Sequence, residues 1–231
     1  MNRAEFDQFA DEYEAQHRAN IAITGEAPDY FARYKIEELK RIASEAQVAA
    51  RDIIDFGSGI GNSIPHFRSA FPHAVLSCAD VSPRSLELGS ARFPGPETLV
   101  RIDEAAIPVP DRSFDAAFSA CVFHHIPHEE HVQWLKELYR VTRSRGILVI
   151  FEHNPANPLT RRAVNTCPFD VNARLIWARQ LAQRLRDAGW QDVAIEYHVF
   201  FPRALAPLRA LEPRLRWLPI GAQYCAIARK P

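Results

Sequence analysis

Three glycines at alternate positions, Gly57, Gly59 and Gly61, directly follow the apolar residues 53–56. A backbone without Cβ atoms can leave a strand here, pass close to a ligand and enter a helix whose first N–H groups face the same cavity. The alternative is a glycine-rich turn at the surface, and the residues that flank the glycines argue against it. The spacing therefore predicts a ligand-binding turn.

Acidic residues follow the next two predicted strands. The apolar stretch 74–79 ends at Asp80, 19 positions after the last of the three glycines, and an acid at this distance suits the hydroxyls of a ribose. A third strand near 98–102 is followed by Asp103 and Glu104. The glycine turn and these carboxylates together indicate a site for a ribose-bearing ligand.

Predicted strands and helices alternate along the chain and position these residues. After the first three strands, further strands are predicted over 114–123, 146–152, 193–199 and 223–228, and the last long helix over about 171–187. Such alternation predicts an α/β fold with a doubly wound, mostly parallel sheet and helices on both faces. Ligands of such sheets bind beyond the carboxyl ends of the strands.

Residues 50–152 resemble the class I S-adenosylmethionine-dependent methyltransferases, in particular the small-molecule group that includes the ubiquinone and menaquinone methyltransferases. Residues 55–61 look like the first motif of that family, Asp80 like its ribose-binding acid, and residues 122–126 like the end of its fourth strand. One difference is plain. The family often has Pro-Gly-Gly before the fifth strand, whereas residues 142–146 keep a single glycine.

A nicotinamide or flavin dinucleotide is the competing ligand. Its Gly-x-Gly-x-x-Gly fingerprint requires glycine where Asn62 stands, and the chain has no Gly-Lys-Ser/Thr phosphate loop. S-adenosylmethionine is cationic at sulfur and carries no phosphate, so carboxylates at the strand ends suit it better. The resemblance therefore implies S-adenosylmethionine as the cofactor.

The resemblance also implies a Rossmann-like, seven-stranded sheet whose last strand is antiparallel. In such a site the backbone of residues 57–61 lies against the methionine part of the donor, Asp55 reaches its ammonium and Asp80 its ribose. Val81 would pack on the adenine, and Asp103 would accept a hydrogen bond from its amine. The cofactor-binding residues implied in this way are Asp55, Gly57, Ser58, Gly59, Gly61, Asp80, Val81, Asp103, Glu104 and Cys121.

His124 and His125 follow the fourth strand, at the sheet edge where the methyl group would be presented. A general base at this place could take a proton from a hydroxyl acceptor, which favours methylation on oxygen. Alternatively, one histidine lines the pocket and the other satisfies a backbone carbonyl. His128 and His131 lack the spacing of a zinc-binding helix, so no metal site is predicted.

Residues 1–45 read as an N-terminal helical cover that resembles the cover of small-molecule methyltransferases. A cover excludes water and positions the acceptor for in-line attack. Tyr13, His17 and Tyr30 are the residues of this segment that we predict to reach the acceptor pocket. The alternative is that its aromatic residues only pack a terminal helix on the sheet.

Two insertions, 153–170 and 200–220, lie on the predicted acceptor side. The first is rich in proline and polar residues and places His153 and Asn154 at the sheet edge, as candidates for substrate binding. The second mixes leucines with arginines. Residues 200–220 could cap an apolar acceptor, lie on an anionic membrane surface, or pack on the body of the domain.

Composition limits the remaining choices. The 231 residues, 47% of them hydrophobic, can bury the core of one domain, 1–231, around a cofactor-binding part at 50–152. Lys plus Arg equals Asp plus Glu at 28 each, so nothing suggests a nucleic acid partner. Four cysteines without Cys-x-x-Cys spacing, no apparent secretory leader and no membrane-spanning apolar run favour a cytoplasmic protein.

These features predict a monomeric or homodimeric enzyme that moves a methyl group from S-adenosylmethionine to a small-molecule or lipid-linked acceptor. The alternative is a non-catalytic regulator or assembly partner that binds S-adenosylmethionine without turnover.

Overall fold

The fold is described from a computed structural model, which covers residues 25–102, 106–167 and 172–231. The predicted positions Tyr13, His17, Asp103 and Glu104 lie outside these residues. Their assigned roles therefore stay predictions.

One seven-stranded sheet runs through the described residues. Its strands are β1 (Asp52–Phe56), β2 (Val75–Asp80), β3 (Thr98–Arg101), β4 (Phe114–Ala120), β5 (Thr142–His153), β6 (Gln191–His198) and β7 (Gln223–Arg229). The strand order is β3-β2-β1-β4-β5-β7-β6. Strands β1 to β5 pair in parallel, and β7 inserts antiparallel between β5 and β6. The predicted Rossmann-like sheet with an antiparallel last strand is thus confirmed.

Helices pack on both faces of the sheet. In the described residues they are α1 (Pro28–Glu45), α2 (Ile64–Ala70), α3 (Pro83–Arg92), α4 (His131–Val141), α5 (Pro158–Thr166), α6 (Ala178–Asp187) and α7 (Glu212–Leu215). Two 3₁₀ segments, Phe123–His125 and Arg203–Leu211, complete the set. None of the described helices has both the length and the apolar content needed to span a lipid bilayer.

The core forms two apolar layers because the central strands are buried on both faces. Residues 147–151 of β5, Ile-Leu-Val-Ile-Phe, are all buried, and alternate side chains enter opposite layers. One layer includes Trp134 of α4 and Leu181 of α6, and the other includes Leu39 of α1. Burial of each such side chain contributes about 1.5–3 kcal/mol. The sheet is therefore a rigid support for groups at its edge.

Three predicted boundaries are wrong. The fifth strand begins at Thr142 and not at residue 146, because Thr142 already pairs with Phe114 of β4. The other two also differ for tertiary reasons. The fourth strand ends at Ala120 and not at residue 123, because Cys121 adopts a left-handed conformation with φ 59° and the chain then turns into the 3₁₀ segment. The last long helix begins at Ala178 and not near residue 171. The residues just before it run irregularly, with the Arg174 amide donating to the His124 carbonyl at 2.8 Å and the Tyr224 hydroxyl to the Ile176 carbonyl at 3.0 Å.

Candidate functional site

The candidate site lies at the carboxyl ends of β1, β2, β4 and β5. Parallel strands bring these ends to one edge of the sheet, although they are far apart in the sequence. The edge carries the glycine bend after β1, Asp80 at the end of β2, residues 121–125 after β4 and residues 152–153 at the end of β5.

The glycine bend needs its glycines for two different reasons. Gly57, Gly59 and Gly61 all have positive φ angles, of 79°, 52° and 77°, which other residues rarely adopt. A Cβ atom on Gly57 would lie 2.3 Å from Cγ2 of Val122, so this glycine is required for packing. A Cβ atom on Gly59 would meet nothing within 4 Å. Gly59 therefore borders open space, as the backbone beside a ligand should.

Asp80, at the end of β2, stabilises this bend through hydrogen bonds. Its Oδ2 accepts a hydrogen bond from the amide of Gly59 at 2.8 Å, and its Oδ1 accepts one from the amide of Ser82 at 2.9 Å. Ser82 in turn caps α3 by accepting from the amide of Ser85 at 3.0 Å. A carboxylate has about four acceptor positions and can therefore hold several hydrogen bonds at once.

The buried carboxyl of Asp55 and the buried hydroxyl of partly exposed Ser58 suit a bound cationic, hydrogen-bonding ligand. Burial and the charge of Asp80 raise the pKa of Asp55 to about 7, although the Lys35 ammonium opposes the shift. Among the described residues, nothing hydrogen-bonds to the buried hydroxyl of Ser58. A ligand with a positive charge and polar groups would stabilise both side chains.

Lys35 is a site residue that the sequence analysis missed. It projects from α1, is only 7% exposed, and places Nζ 3.4 Å from Sγ of Cys121. Burial opposes ionisation of the thiol, but Lys35 and His153 outweigh it and lower the pKa of Cys121 to about 6. A lysine within the buried stripe of α1, between Phe31 and Leu39, was the available signal.

His124 and Glu152 form a buried pair after β4 and β5. Nδ1 of His124 lies 2.6 Å from Oε2 of Glu152, and both side chains are at most 1% exposed. The other oxygen of Glu152 accepts hydrogen bonds from the amides of Val122 at 3.0 Å and Phe123 at 2.7 Å. The His124 imidazole and these amides hold the pKa of Glu152 below its usual value despite its burial. The Glu152 carboxylate favours a proton on Nδ1, and in the neutral tautomer with that proton Nε2 is the basic nitrogen.

Two further histidines stand beside this pair. The ring centroid of His124 lies 4.2 Å from that of His125 and 5.1 Å from that of His153. Both neighbours are partly exposed, whereas His124 is buried. The structure thus gathers the predicted His124, His125 and His153 into one cluster next to Cys121.

The remaining described candidates occupy other surroundings. Asn154 is buried, and its side-chain amide donates to the carbonyls of Pro219 and Gly221 at 3.2 and 2.8 Å, so it holds that loop and does not join the histidine cluster. Val81 is partly buried against the core. Tyr30 lies under the guanidinium of Arg209, 4.6 Å from the ring centroid, and burial raises the pKa of its hydroxyl.

A group of possible metal ligands, Glu38, Glu196 and His198, lies between α1 and β6. Two arginines already neutralise its carboxylates. Arg41 and Arg216 contact Glu38 at 2.8 and 2.7 Å, and both also contact Glu196. Because a divalent cation would be repelled by both guanidinium groups, we interpret this group as an ion-pair network that fixes α1 to β6.

The arrangement therefore has two halves. The ends of β1 and β2 offer a bare backbone bend and carboxylates, which suit a cationic nucleoside. The ends of β4 and β5 offer a buried imidazole oriented by a carboxylate, which suits proton removal.

Known proteins are similar to this chain in sequence and in fold. A family profile described as a methyltransferase domain matches residues 54–150. The demethylmenaquinone methyltransferase of Streptomyces avermitilis is 30% identical over 167 residues, which cover 63% of this chain and 70% of that protein. The phthiotriol/phenolphthiotriol dimycocerosates methyltransferase of Mycobacterium leprae is 28% identical over 166 residues, 71% of this chain and 58% of that protein.

A crystal structure of an S-adenosylmethionine-dependent methyltransferase from Thermotoga maritima has the same fold. It superimposes with a TM-score of 0.66 over 99% of both chains, at 18% sequence identity. For several of the curated relatives, the match spans only about half of their length, between 44% and 61%.

Proposed function

This chain belongs to the class I S-adenosylmethionine-dependent methyltransferases, and on that premise we propose that it transfers a methyl group to a hydroxyl oxygen of a small-molecule or lipid-linked acceptor. When bound, S-adenosylmethionine supplies an electrophilic methyl group on a positively charged sulfur. The leaving group is thus already activated, so the chain has to bind, orient and remove a proton.

The residues at the ends of β1 and β2 fit this cofactor. Open space beside Gly59 leaves room for the ligand next to the backbone, and the Ser58 hydroxyl offers a polar contact. Asp80 would accept from the ribose hydroxyls and Asp55 from the ammonium group. Val81 would border the adenine.

Lys35 places an ammonium group beside the proposed donor site, and the family comparison alone assigns no role to it. Its ammonium lies on the same side as Asp55, with which it interacts electrostatically, and beside Cys121. A buried cation next to a buried acid matches an amino-acid moiety, which carries both an ammonium and a carboxylate. We propose that Lys35 pairs with the carboxylate of the methionine part.

The pair formed by His124 and Glu152 carries the proposal for the chemistry. Glu152 accepts from Nδ1 at 2.6 Å and so orients the ring, and in this proposal Nε2 takes the proton of the acceptor hydroxyl. The negative charge of Glu152 then stabilises the imidazolium that forms. Proton removal by a correctly placed base contributes about 10²–10⁴-fold to a rate.

The residues around this base suit an aromatic or apolar acceptor. His125 and His153 flank His124, and Arg209 of the segment 200–220 lies over the ring of Tyr30. Relatives named for quinone and lipid acceptors support an acceptor that is small or lipid-linked.

The proposal is tested with purified protein, S-adenosylmethionine and a panel of quinols, phenols and amines, by following formation of S-adenosylhomocysteine. We expect turnover with a hydroxyl-bearing acceptor, and the His124→Gln variant should bind the donor normally but turn over about 10²-fold more slowly. Exposed His73→Gln is the matched control. Nuclear magnetic resonance of the product then locates the methyl group, and a methyl group on carbon or nitrogen would refute methylation on oxygen. Donor binding without turnover on any acceptor would favour a non-catalytic binder.

A further inference from the structure

The segment 203–220 displays apolar side chains to solvent and buries few of them. None of the residues in the 3₁₀ segment Arg203–Leu211 or in α7 is buried. The exposed fraction is 46% for Leu205, 41% for Leu208, 44% for Leu211, 74% for Trp217 and 59% for Ile220. Packing on the body of the domain does not account for these side chains, and a covering partner would bury them.

A second exposed stretch adjoins this segment. Asn157, which caps α5, donates from its side chain to the carbonyl of Ile220 at 2.8 Å, and Thr160 donates to the carbonyl of Ala222 at 2.9 Å. These bonds place the first turn of α5 beside Ile220. That turn carries Leu159, which is 60% exposed. We call the two stretches together, residues 159–162 and 203–220, the apolar–basic face.

The charge on this face has one sign. Arg203, Arg214, Arg161 and Arg162 are exposed. The one acid in the two stretches, Glu212, is turned inward, where it accepts hydrogen bonds from the amides of Phe200 and Phe201 at 3.1 Å. A surface of exposed leucines, a tryptophan and arginines, without outward-facing acids, complements an anionic lipid bilayer.

The face is also held in a fixed position relative to the site. Arg209 pairs with Glu26 at 2.8 Å, and Arg216 pairs with Glu38 of α1 at 2.7 Å. Tyr30 lies under Arg209. The inner arginines thus tie the segment to the helix that supplies Lys35. Of the outer arginines, Arg203 donates to the carbonyl of Gly25 at 3.3 Å and still remains exposed at the surface.

We propose that the apolar–basic face docks this protein on an anionic membrane surface, next to the candidate acceptor site. Short helices interrupted by Pro207 and Pro213 present the leucines and Trp217 to the lipid boundary, while Arg203 and Arg214 lie at the level of the phosphates. An acceptor with a long apolar chain could then enter the site from the lipid phase. The proposal goes beyond methyl transfer, because a protein that did not bind membranes could still methylate a free small molecule.

Vesicle flotation without donor or acceptor tests the proposal, so its result does not depend on catalysis. Vesicles of phosphatidylcholine mixed with phosphatidylglycerol should retain the full chain at low salt, and pure phosphatidylcholine vesicles should retain much less. Replacing both Arg203→Gln and Arg214→Gln should weaken retention about tenfold or more, and Leu208→Asp should abolish it. Trp217 fluorescence should shift to the blue on binding.

The matched controls are Val75→Asp and Arg186→Gln. Val75 is 55% exposed at the amino end of β2, and Arg186 is exposed near the end of α6, both on the opposite edge of the sheet. These variants should float as the unchanged protein does. No retention by anionic vesicles, equal retention by neutral ones, or equal losses in the controls would overturn the proposal. If the protein self-associates and Leu208→Asp abolishes this association, the apolar–basic face contacts a second copy of the chain. This result would also overturn the membrane proposal.

Discussion

Nδ1 of His124 and Oε2 of Glu152 lie 2.6 Å apart, although 28 positions separate the two residues in the sequence. The register of β4 and β5 brings them together. Ala120 pairs with Phe151, and the Cys121 amide donates to the Phe151 carbonyl at 2.8 Å, so the residues just beyond these positions meet at the sheet edge. A buried imidazole therefore has a fixed orientation beside the proposed cofactor site.

The Glu152→Gln substitution should separate orientation of the base from binding of the donor. The amide keeps the shape of the side chain but removes the negative charge that stabilises the imidazolium of His124. We expect turnover to fall about 10²-fold, while donor affinity measured by calorimetry stays within about twofold. Exposed Glu129→Gln is the matched control. Full activity of Glu152→Gln would show that this pair does not act in proton removal.

Alanine at Gly57 and at Gly59 should have opposite consequences. At Gly57 the new Cβ would lie 2.3 Å from Val122, so we expect the free energy of unfolding to fall by about 2–4 kcal/mol. At Gly59 the Cβ enters open space, so the fold should lose only about 1–2 kcal/mol from the positive φ while donor affinity falls about tenfold or more.

Gly189→Ala is the control for backbone strain alone. Gly189 also has a positive φ, of 99°, and its nearest neighbour would be 3.6 Å from a Cβ atom. This variant should lose some stability in thermal unfolding and none of its donor affinity. Normal donor binding by the Gly59→Ala variant would show that the glycine bend is not part of the cofactor site.

Donor affinity should rise with pH up to about pH 7 because of Asp55. The carboxyl of Asp55 keeps its proton until about pH 7 in the donor-free protein, and a cationic donor favours the ionised form. Binding then releases a proton, so affinity should increase about tenfold per pH unit below this value and level off above it. Calorimetric titrations across this range measure the slope, and Asp55→Asn should flatten it. Exposed Asp192→Asn should keep the slope, and a flat profile in the unchanged protein would contradict the assignment.

The raised pKa of Asp55 also predicts how the free energy of unfolding changes with pH. The folded protein holds the Asp55 proton to about pH 7, whereas the unfolded chain releases it near the usual value of 3.8. The contribution of Asp55 to the free energy of unfolding should therefore decline as the pH rises between these values. In Asp55→Asn this decline should be absent from urea unfolding curves of the donor-free protein.

Cys121 should be more reactive than Cys78 and Cys225 near neutral pH. Its pKa is about 6, whereas burial raises the pKa of Cys78 and of Cys225. Alkylation by iodoacetamide, read by peptide mass spectrometry, should label Cys121 before Cys78 and Cys225, with a midpoint near pH 6. Lys35→Met should move this midpoint up by about one unit or more, and exposed Lys40→Met should not. An unchanged midpoint in Lys35→Met would show that Lys35 does not stabilise the thiolate.

The sequence was most informative where local residue types decide the structure. Alternate glycines after an apolar strand permit only a few backbone paths, so the bend at 57–61 was predictable. The mostly parallel sheet was predictable from the alternation of strands and helices, and its antiparallel last strand from the family resemblance. Boundaries were less predictable. Ala120 ends β4 because Cys121 is left-handed, and Glu152, from another strand, then binds the amides of the turn that follows.

Partners distant in the sequence depend on the folded chain. The residues around Lys35 identify a helix and its buried stripe, but the contact with Cys121 exists only because α1 packs against β4 and β5. The sequence likewise placed Asn154 at the sheet edge, and only the fold shows that its amide binds the loop 219–221.

The amino-acid sequence by itself determined the family, the sheet and the motif on the cofactor side. Each of these depends on residues that are close together in the sequence. The tertiary structure alone decided how His124 is oriented, which groups lower the pKa of the Cys121 thiol and which leucines of 203–220 face solvent. The physical reason is that hydrogen bonds, pKa shifts and burial depend on distances between side chains. The number of residues between two positions in the sequence does not fix those distances.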